Sequence, residues 1–209
     1  MRAYSSSLVL FCLSPLPLAL AAVVTVTAAP AIPSDEPQWK TTELFTSAIL
    51  NSTNIYRKQH NASDVQWNQT LADFAGDYLA RSDCKFEHSG GPYGENLAEG
   101  YPNATASVEG WGDERDKYNF GQPDFYHDTG HFTQLVWKNT TAVGCDRRLC
   151  GQSGWYLVCE YWPRGNVMGQ FAEEVDRKES GAGRLARPDG MLLSSWLGVL
   201  MLVLVMLSL

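Results

Sequence analysis

Gly130-His131-Phe132-Thr133-Gln134-Leu135-Val136-Trp137-Lys138-Asn139-Thr140-Thr141-Ala142-Val143-Gly144-Cys145 is the stretch on which the fold turns. Its first half reads as a short helix or turn over residues 129–137. Its second half changes to the short pattern of a strand, residues 142–147. A Gly151-Gln152-Ser153-Gly154 turn follows, then a second strand-like run over residues 155–162. Two such runs around a glycine-bearing turn predict an antiparallel hairpin. Folding that hairpin brings Cys145 nearly opposite Cys159. Cys84, Cys145, Cys150 and Cys159 are the cysteines downstream of Cys12, and four cysteines allow three pairings. The hairpin selects Cys145 with Cys159 and leaves Cys84 for Cys150. The spacing holds no C-x-x-C element, which argues against a zinc-thiolate use of the same residues.

Upstream, the period lengthens to that of helices. Residues 41–60 place Leu44, Phe45, Ala48, Ile49, Ile55 and Tyr56 on one face, with Glu43 in the first turn and Arg57 and Lys58 in the last, as the helix dipole favours. Residues 68–82 repeat the pattern with Leu71, Phe74, Ala75, Tyr78 and Leu79, and Asn68 is a suitable N-cap. A glycine-rich loop follows over residues 88–103. A third helix is expected over residues 105–118, with Val108, Trp111 and Arg115 along it, and then an aromatic loop, residues 118–126. Helices early and adjacent strands late define an α+β layered domain with an antiparallel sheet. The globular part spans residues 41–175, preceded by a linker over residues 30–40 and followed by an exposed stalk and anchor-attachment region over residues 176–190.

The two ends read as an address. Arg2, an apolar run from Leu8 to about Val24 and small residues to Ala29 make a secretory signal peptide over residues 1–29. Its cut falls between residues 21 and 29, after Ala19-Leu20-Ala21 or after Val26-Thr27-Ala28. At the other end, the small residues Ser180, Gly181, Ala182 and Gly183 precede a polar spacer and an apolar tail over residues 191–209. That order is the pattern of a glycosylphosphatidylinositol signal, with Ser180 as the attachment residue. A plain membrane span is the competing reading, disfavoured by Ser194 and Ser195 and by the missing basic flank. Asn51, Asn61, Asn68, Asn103 and Asn139 each open an N-x-Ser/Thr sequon, which has meaning on a secretory route. The net charge of −7 argues against nucleic acid as a partner and against charge-driven binding to anionic membranes, leaving the lipid anchor as the only membrane link.

Four stretches carry a family resemblance. The run Gly130–Cys145 resembles the first signature of the CAP superfamily, the group of cysteine-rich secretory, antigen 5 and pathogenesis-related proteins. Residues 155–167, beginning Trp155-Tyr156-Leu157-Val158-Cys159-Glu160, resemble its second signature. Gly94-Glu95-Asn96-Leu97 matches a G-E-N-L segment, and Trp111 to Glu114 a W-x-x-E segment. The chain looks most like secreted fungal CAP proteins of the sterol-binding, pathogen-related-in-yeast type. The resemblance implies a three-layer α-β-α sandwich with a central cavity lined by two His and two Glu. Glu95, Glu114 and His131 match three of these. The fourth is expected in an H-N-x-x-R segment of the first helix, where this chain reads Thr53-Asn54-Ile55-Tyr56-Arg57. One His, two Glu and a hydroxyl would hold a divalent cation such as zinc or magnesium poorly, so Glu95, Glu114 and His131 are equally read as groups that hydrogen-bond one another and tie loops to the core. His88 reads as a structural loop residue and His127 as exposed.

Nothing in the pattern marks an enzyme. There is no G-x-S-x-G elbow and no H-E-x-x-H helix, and the cysteines are assigned to disulfides. Tyr118, Phe120, Phe125 and Tyr126 instead cluster in one loop. The resemblance implies that a loop at this place binds sterols and that a groove between the first and third helices takes a fatty acid. The expected function is therefore binding, sequestering or exporting a sterol or fatty acid outside the cell. The alternatives are a divalent-metal-dependent hydrolase or signalling protein built on the Glu/His cavity, and a packing role for the aromatic loop.

Overall fold

The computed structural model describes residues 35–178. The expected signal peptide, the attachment residue Ser180 and the apolar tail lie outside the described residues. Within them, a four-stranded sheet runs in the order β1-β3-β4-β2. The strands are β1 (Gln66–Trp67), β2 (Gly94–Glu99), β3 (Ala142–Leu149) and β4 (Trp155–Trp162). The hairpin of β3 and β4 is present, with Cys145 paired to Cys159 in register. Both expected disulfides are formed, Cys145–Cys159 across the hairpin and Cys84–Cys150 from the end of a helix to the hairpin turn.

The sheet is mixed rather than antiparallel. Its edge strand β1 pairs parallel with β3, while β2 pairs antiparallel with β4. Neither β1 nor β2 was expected. Two residues are too few to show an alternation, and β2 begins at a glycine inside a glycine-rich stretch, where turn chemistry dominates the pattern. Gly94 is required there for space, because a Cβ would collide with the side chain of the buried Gln134.

Helix α3 (Gln69–Arg81) covers one face of the sheet, packing on β3 and β4. Its start is set by Asn68, whose side chain accepts from the amides of Thr70 and Leu71. On the other side lie α2 (Thr42–Gln59), α4 (Ala104–Asp113) and α5 (Gly130–Val136), packed on one another, on β2 and on β3. The result is a three-layer α-β-α sandwich. Strand β4 serves both layers by alternation. Tyr156 and Val158 join the cluster under α3, whereas Leu157, Cys159 and Tyr161 join the larger core with Phe45, Ile49 and Trp111.

Two boundaries and one helix face differ from the reading of the sequence. Pro37–Lys40 is a short helix, α1, opened by proline at its first position. Its Trp39 is buried, stacks on Trp155 at 5.6 Å and donates its indole N–H to the carbonyl of Pro102, so the core reaches back into the segment taken as linker. In α2, Phe45, Ala48, Ile49 and Tyr56 are buried, but Leu44 and Ile55 are 47% and 56% exposed. Their row faces sideways toward α4. Helix α4 stops at Asp113, and Glu114–Asp116 form a 3-10 turn, after Gly110 and Gly112 have weakened the last helical turn.

His60, at the C-terminal end of α2, is fully buried. Its Nδ1 lies 2.7 Å from the carbonyl of Asp176, an acceptor only, so Nδ1 carries the proton and Nε2 the lone pair. Nε2 has no partner. Burial, helped by Arg115 and Lys178 and opposed by the Asp176 carbonyl bond and charge, pushes the imidazole below its ordinary value. The stability tied to neutral His60 is therefore present above the unfolded-state pKa of about 6.5 and lost as pH falls through the depressed folded value. Urea denaturation at pH 7 and pH 5 should show a loss on acidification that His60→Asn reduces. An unchanged pH dependence in that variant would rule His60 out as the cause.

Candidate functional site

At the N-terminal end of β2, a cavity of about 290 Å³ is lined by His88, Glu95, Phe125, His131, Gln134 and Arg164, among others. Two histidine–carboxylate pairs define its chemistry. His88 Nδ1 is 2.6 Å from Glu95 Oε1, and Glu95 also accepts from the amide of Ser89 at 3.0 and 3.2 Å. His131 Nδ1 is 2.6 Å from Glu114 Oε1, while Glu114 Oε2 accepts from the amides of His131 and Phe132, each at 3.1 Å. Those two amides are orphan donors in the first turn of α5, and a carboxylate is the natural group to satisfy them. Glu114 stands behind His131 and does not line the cavity.

The structure thus brings Glu95 and His131 to one cavity, with Glu114 supporting His131, and replaces the fourth expected residue. Thr53 is fully buried in α2 and is not part of the lining. The second imidazole is His88, from the loop between α3 and β2. The signal for it was present in His88-Ser89-Gly90-Gly91, seven residues before Glu95, where a short glycine-rich link lets the chain double back onto the carboxylate. The hydrogen bond to Glu95 raises the pKa of His88 against the opposing effect of burial. Burial pushes Glu95 upward, yet the bonds from His88, Ser89 and Glu160 outweigh it and hold the carboxyl below its usual range.

The donor set does not fit a metal held by Glu95, Glu114 and His131. Both Glu side chains are engaged by amides and imidazoles. Among the described residues no group of three or more His, Cys, Asp or Glu side chains is placed to hold a metal ion.

The aromatic loop folds back in large part. Tyr118 is buried against Phe120, Tyr126 and Phe132, and burial first of all pushes its phenol up to about 12. Phe120 stacks on His60 and lies beneath the Arg177 guanidinium. Tyr126 is half-buried, its hydroxyl donating to the carbonyl of Gln122. Phe125 alone of the four is exposed, at 44%, at the rim of the cavity.

A second concavity, of about 410 Å³, lies between α2 and α4. Leu44, Ala48 and Ile55 form an apolar row along its α2 wall, and Thr105 and Glu109 stand on the α4 side. Arg115 closes one end. Its guanidinium lies 4.8 Å from the Tyr56 ring centre, 2.6 Å from Gln59 Oε1 and 3.7 Å from Asp113 Oδ1.

A three-layer α-β-α sandwich with two disulfides and a cavity at which two histidine–carboxylate pairs meet defines one class of scaffold. The profile of the cysteine-rich secretory protein family (CAP) matches residues 50–161, and the chain belongs to that family. It is 44% identical over 135 residues to Protein PRY2 of Saccharomyces cerevisiae, a match spanning 63% of this chain and 41% of that protein. It is 40% identical over 133 residues to Secreted protein RBT4 of Candida albicans, spanning 60% of this chain and 36% of that protein. The matches thus span well under half the length of these two relatives. The solved structure of Schistosoma mansoni venom allergen-like protein 4 superposes with a TM-score of 0.50 at 25% identity, covering 65% of this chain and 93% of that one.

Proposed function

We propose that this CAP protein works outside the cell, tethered through Ser180, as a carrier that takes a single-chain fatty acid into the groove between α2 and α4. The observation that supports this most is the apolar row of exposed Leu44 and Ile55 on either side of the buried Ala48, ending at Arg115. An acyl chain gains by leaving water along such a row, and a guanidinium is suited to a terminal carboxylate. The extracellular setting is supported by the name of the related Secreted protein RBT4 and by the five sequons and two disulfides. A sterol on the aromatic loop is less favoured, because Tyr118 and Phe120 are packed inward and leave Phe125 as one free ring. The reading is of a binding protein rather than an enzyme.

The test is binding of cis-parinaric acid, a fluorescent fatty acid. The double variant Leu44→Asp, Ile55→Asp should lose binding while its melting temperature stays close to that of the parent, since both side chains are exposed. Arg115→Gln should weaken binding about tenfold, as expected for one charge-assisted hydrogen bond of roughly 1.5 kcal/mol, and should lose any preference for the acid over the matching alcohol. Full affinity in the double variant would overturn the groove assignment. Cholesterol binding lost on Phe120→Ala, Phe125→Ala would move the site to the aromatic loop.

A further inference from the structure

Thr53 holds a hydroxyl for which the fold has no use. The residue is fully buried, and among the described residues its Oγ1 finds no hydrogen-bond partner. An unpaired buried hydroxyl costs about 1–3 kcal/mol, and valine, of nearly the same shape, would avoid that cost. The hydroxyl residues of the other four sequons, Ser63, Thr70, Thr105 and Thr141, are exposed or half-buried, where water can serve them. What the Thr53 hydroxyl does supply is the third position of Asn51-Ser52-Thr53, the requirement for N-linked glycosylation of Asn51. Glycan transfer to a chain entering the secretory route precedes the packing of α2, so burial of Thr53 in the finished fold is no obstacle.

Asn51 itself is exposed and lines the groove between α2 and α4. It stands three residues after Ala48 and four before Ile55, so all three share one face of the helix. A sugar on its Nδ2 starts from the middle of the apolar row. None of the other four sequon asparagines lines the groove. Asn68 and Asn103 cap α3 and α4, Asn61 donates to Asp176, and Asn139 bonds Glu174. Helix α2 cannot turn to carry the sugar elsewhere, because Ser52 and Thr53 beside it are buried.

We propose that Asn51 carries an N-linked glycan whose first sugars lie across the groove and compete with the fatty acid, so that glycan occupancy at this residue sets how much of the secreted protein can load lipid. The proposal rests on the groove reading given above. It makes the groove a site with two covers, one covalent and one exchangeable, and accounts for both the orphaned hydroxyl and the position of the acceptor.

The full chain would be secreted from a eukaryotic host as wild type, Asn51→Gln, Thr53→Val and Thr53→Ser. Glycan occupancy would be read by mass spectrometry and affinity by cis-parinaric acid fluorescence. Asn51 should be occupied in the wild type and in Thr53→Ser. Asn51→Gln and Thr53→Val should both lack the sugar and bind about tenfold tighter, as for a groove open about a tenth of the time when glycosylated. Thr53→Val keeps the Asn51 side chain, so its gain separates the sugar from the amide, and it should melt no lower than the wild type. A bare Asn51 in the secreted wild type, or an occupied Asn51 with equal affinity in all forms, would overturn the proposal while leaving the groove as a lipid site. Absence of binding in the sugar-free variants would overturn the groove reading itself, and the gating with it.

Discussion

Arg57→Ala is expected to yield no stably folded domain. Arg57 is fully buried near the end of α2. Its Nε donates to the carbonyl of Ser63 at 2.7 Å, one terminal nitrogen to those of Leu135 and Trp137 at 3.0 and 2.9 Å, and the other to that of Thr140 at 2.7 Å. Three of those acceptors lie in the last turn of α5 and in the link to β3, where a helix leaves its final carbonyls without partners. Burial lowers the guanidinium to about 10, so it remains charged at neutral pH, compensated by carbonyl dipoles. Each bond from a charged donor is worth roughly 1.5–3 kcal/mol, and orphaned buried carbonyls add their own penalty. Removal should therefore cost at least about 5 kcal/mol, which is comparable to the whole stability of a domain of this size. Arg57→Lys should recover part of this, since an ammonium is a point donor and cannot span the same fork of acceptors. Secreted yield and thermal unfolding by circular dichroism measure it. A melt within a few degrees of wild type would mean that the four carbonyls find other partners.

The segment around Arg57 also shows where the sequence was legible and where it was not. Its resemblance to an H-N-x-x-R pattern drew attention to Thr53 as the place of a missing histidine. The structural work of the segment is done by Asn54 and Arg57. Asn54 exchanges two hydrogen bonds with the backbone of Val65, and together with Arg57 it clamps the chain that leaves α2. The helices were readable because each buries one face for several turns, and the hairpin because two strand-like runs flank a glycine-bearing turn. Both disulfides followed from that hairpin. Strands β1 and β2 were hidden because one is two residues long and the other starts at a glycine that is there to make room for Gln134. Leu44 and Ile55 fit the apolar period of α2 as well as Phe45 and Ile49 do. Only the position of α4 decides that they line a groove instead of the core. His88 escaped because its role depends on a loop closing back seven residues onto Glu95, a contact that no periodicity encodes.

Glu160→Gln is expected to stabilise the protein and to remove a loss of stability on going from pH 5 to pH 9. Glu160 sits in the middle of β4 with 1% of its surface exposed. Its register partners are Gly144 on one side and Glu95 on the other. Among the described residues neither of its oxygens finds a donor, which is the expected result for two facing carboxylates, since both are acceptors. One proton resolves the conflict. Burial, and then the hydrogen bond and charge of Glu95, push Glu160 up to about 9, while Glu95, which also has His88 and Ser89, stays ionised. A protonated Glu160 can then donate to Glu95 and so steady the carboxylate that holds His88 in the cavity. The sign of the linkage follows from the raised folded value. Stability from protonated Glu160 is fully present below the unfolded-state pKa, about 4.3 for Glu, and is lost as pH rises through the folded value. The slope in between approaches about 1.4 kcal/mol per pH unit. An amide at position 160 donates the same hydrogen bond without a proton to lose, so Glu160→Gln should match wild type near pH 5 and exceed it by an increasing margin toward pH 9. Glu160→Ala serves as the control, leaving Glu95 without the donor at every pH. Urea denaturation across that range decides the matter. Parallel curves for wild type and Glu160→Gln would show that the buried carboxyl is not the group that titrates, and a Gln variant weaker at every pH would show that the pair does not share a proton in this way.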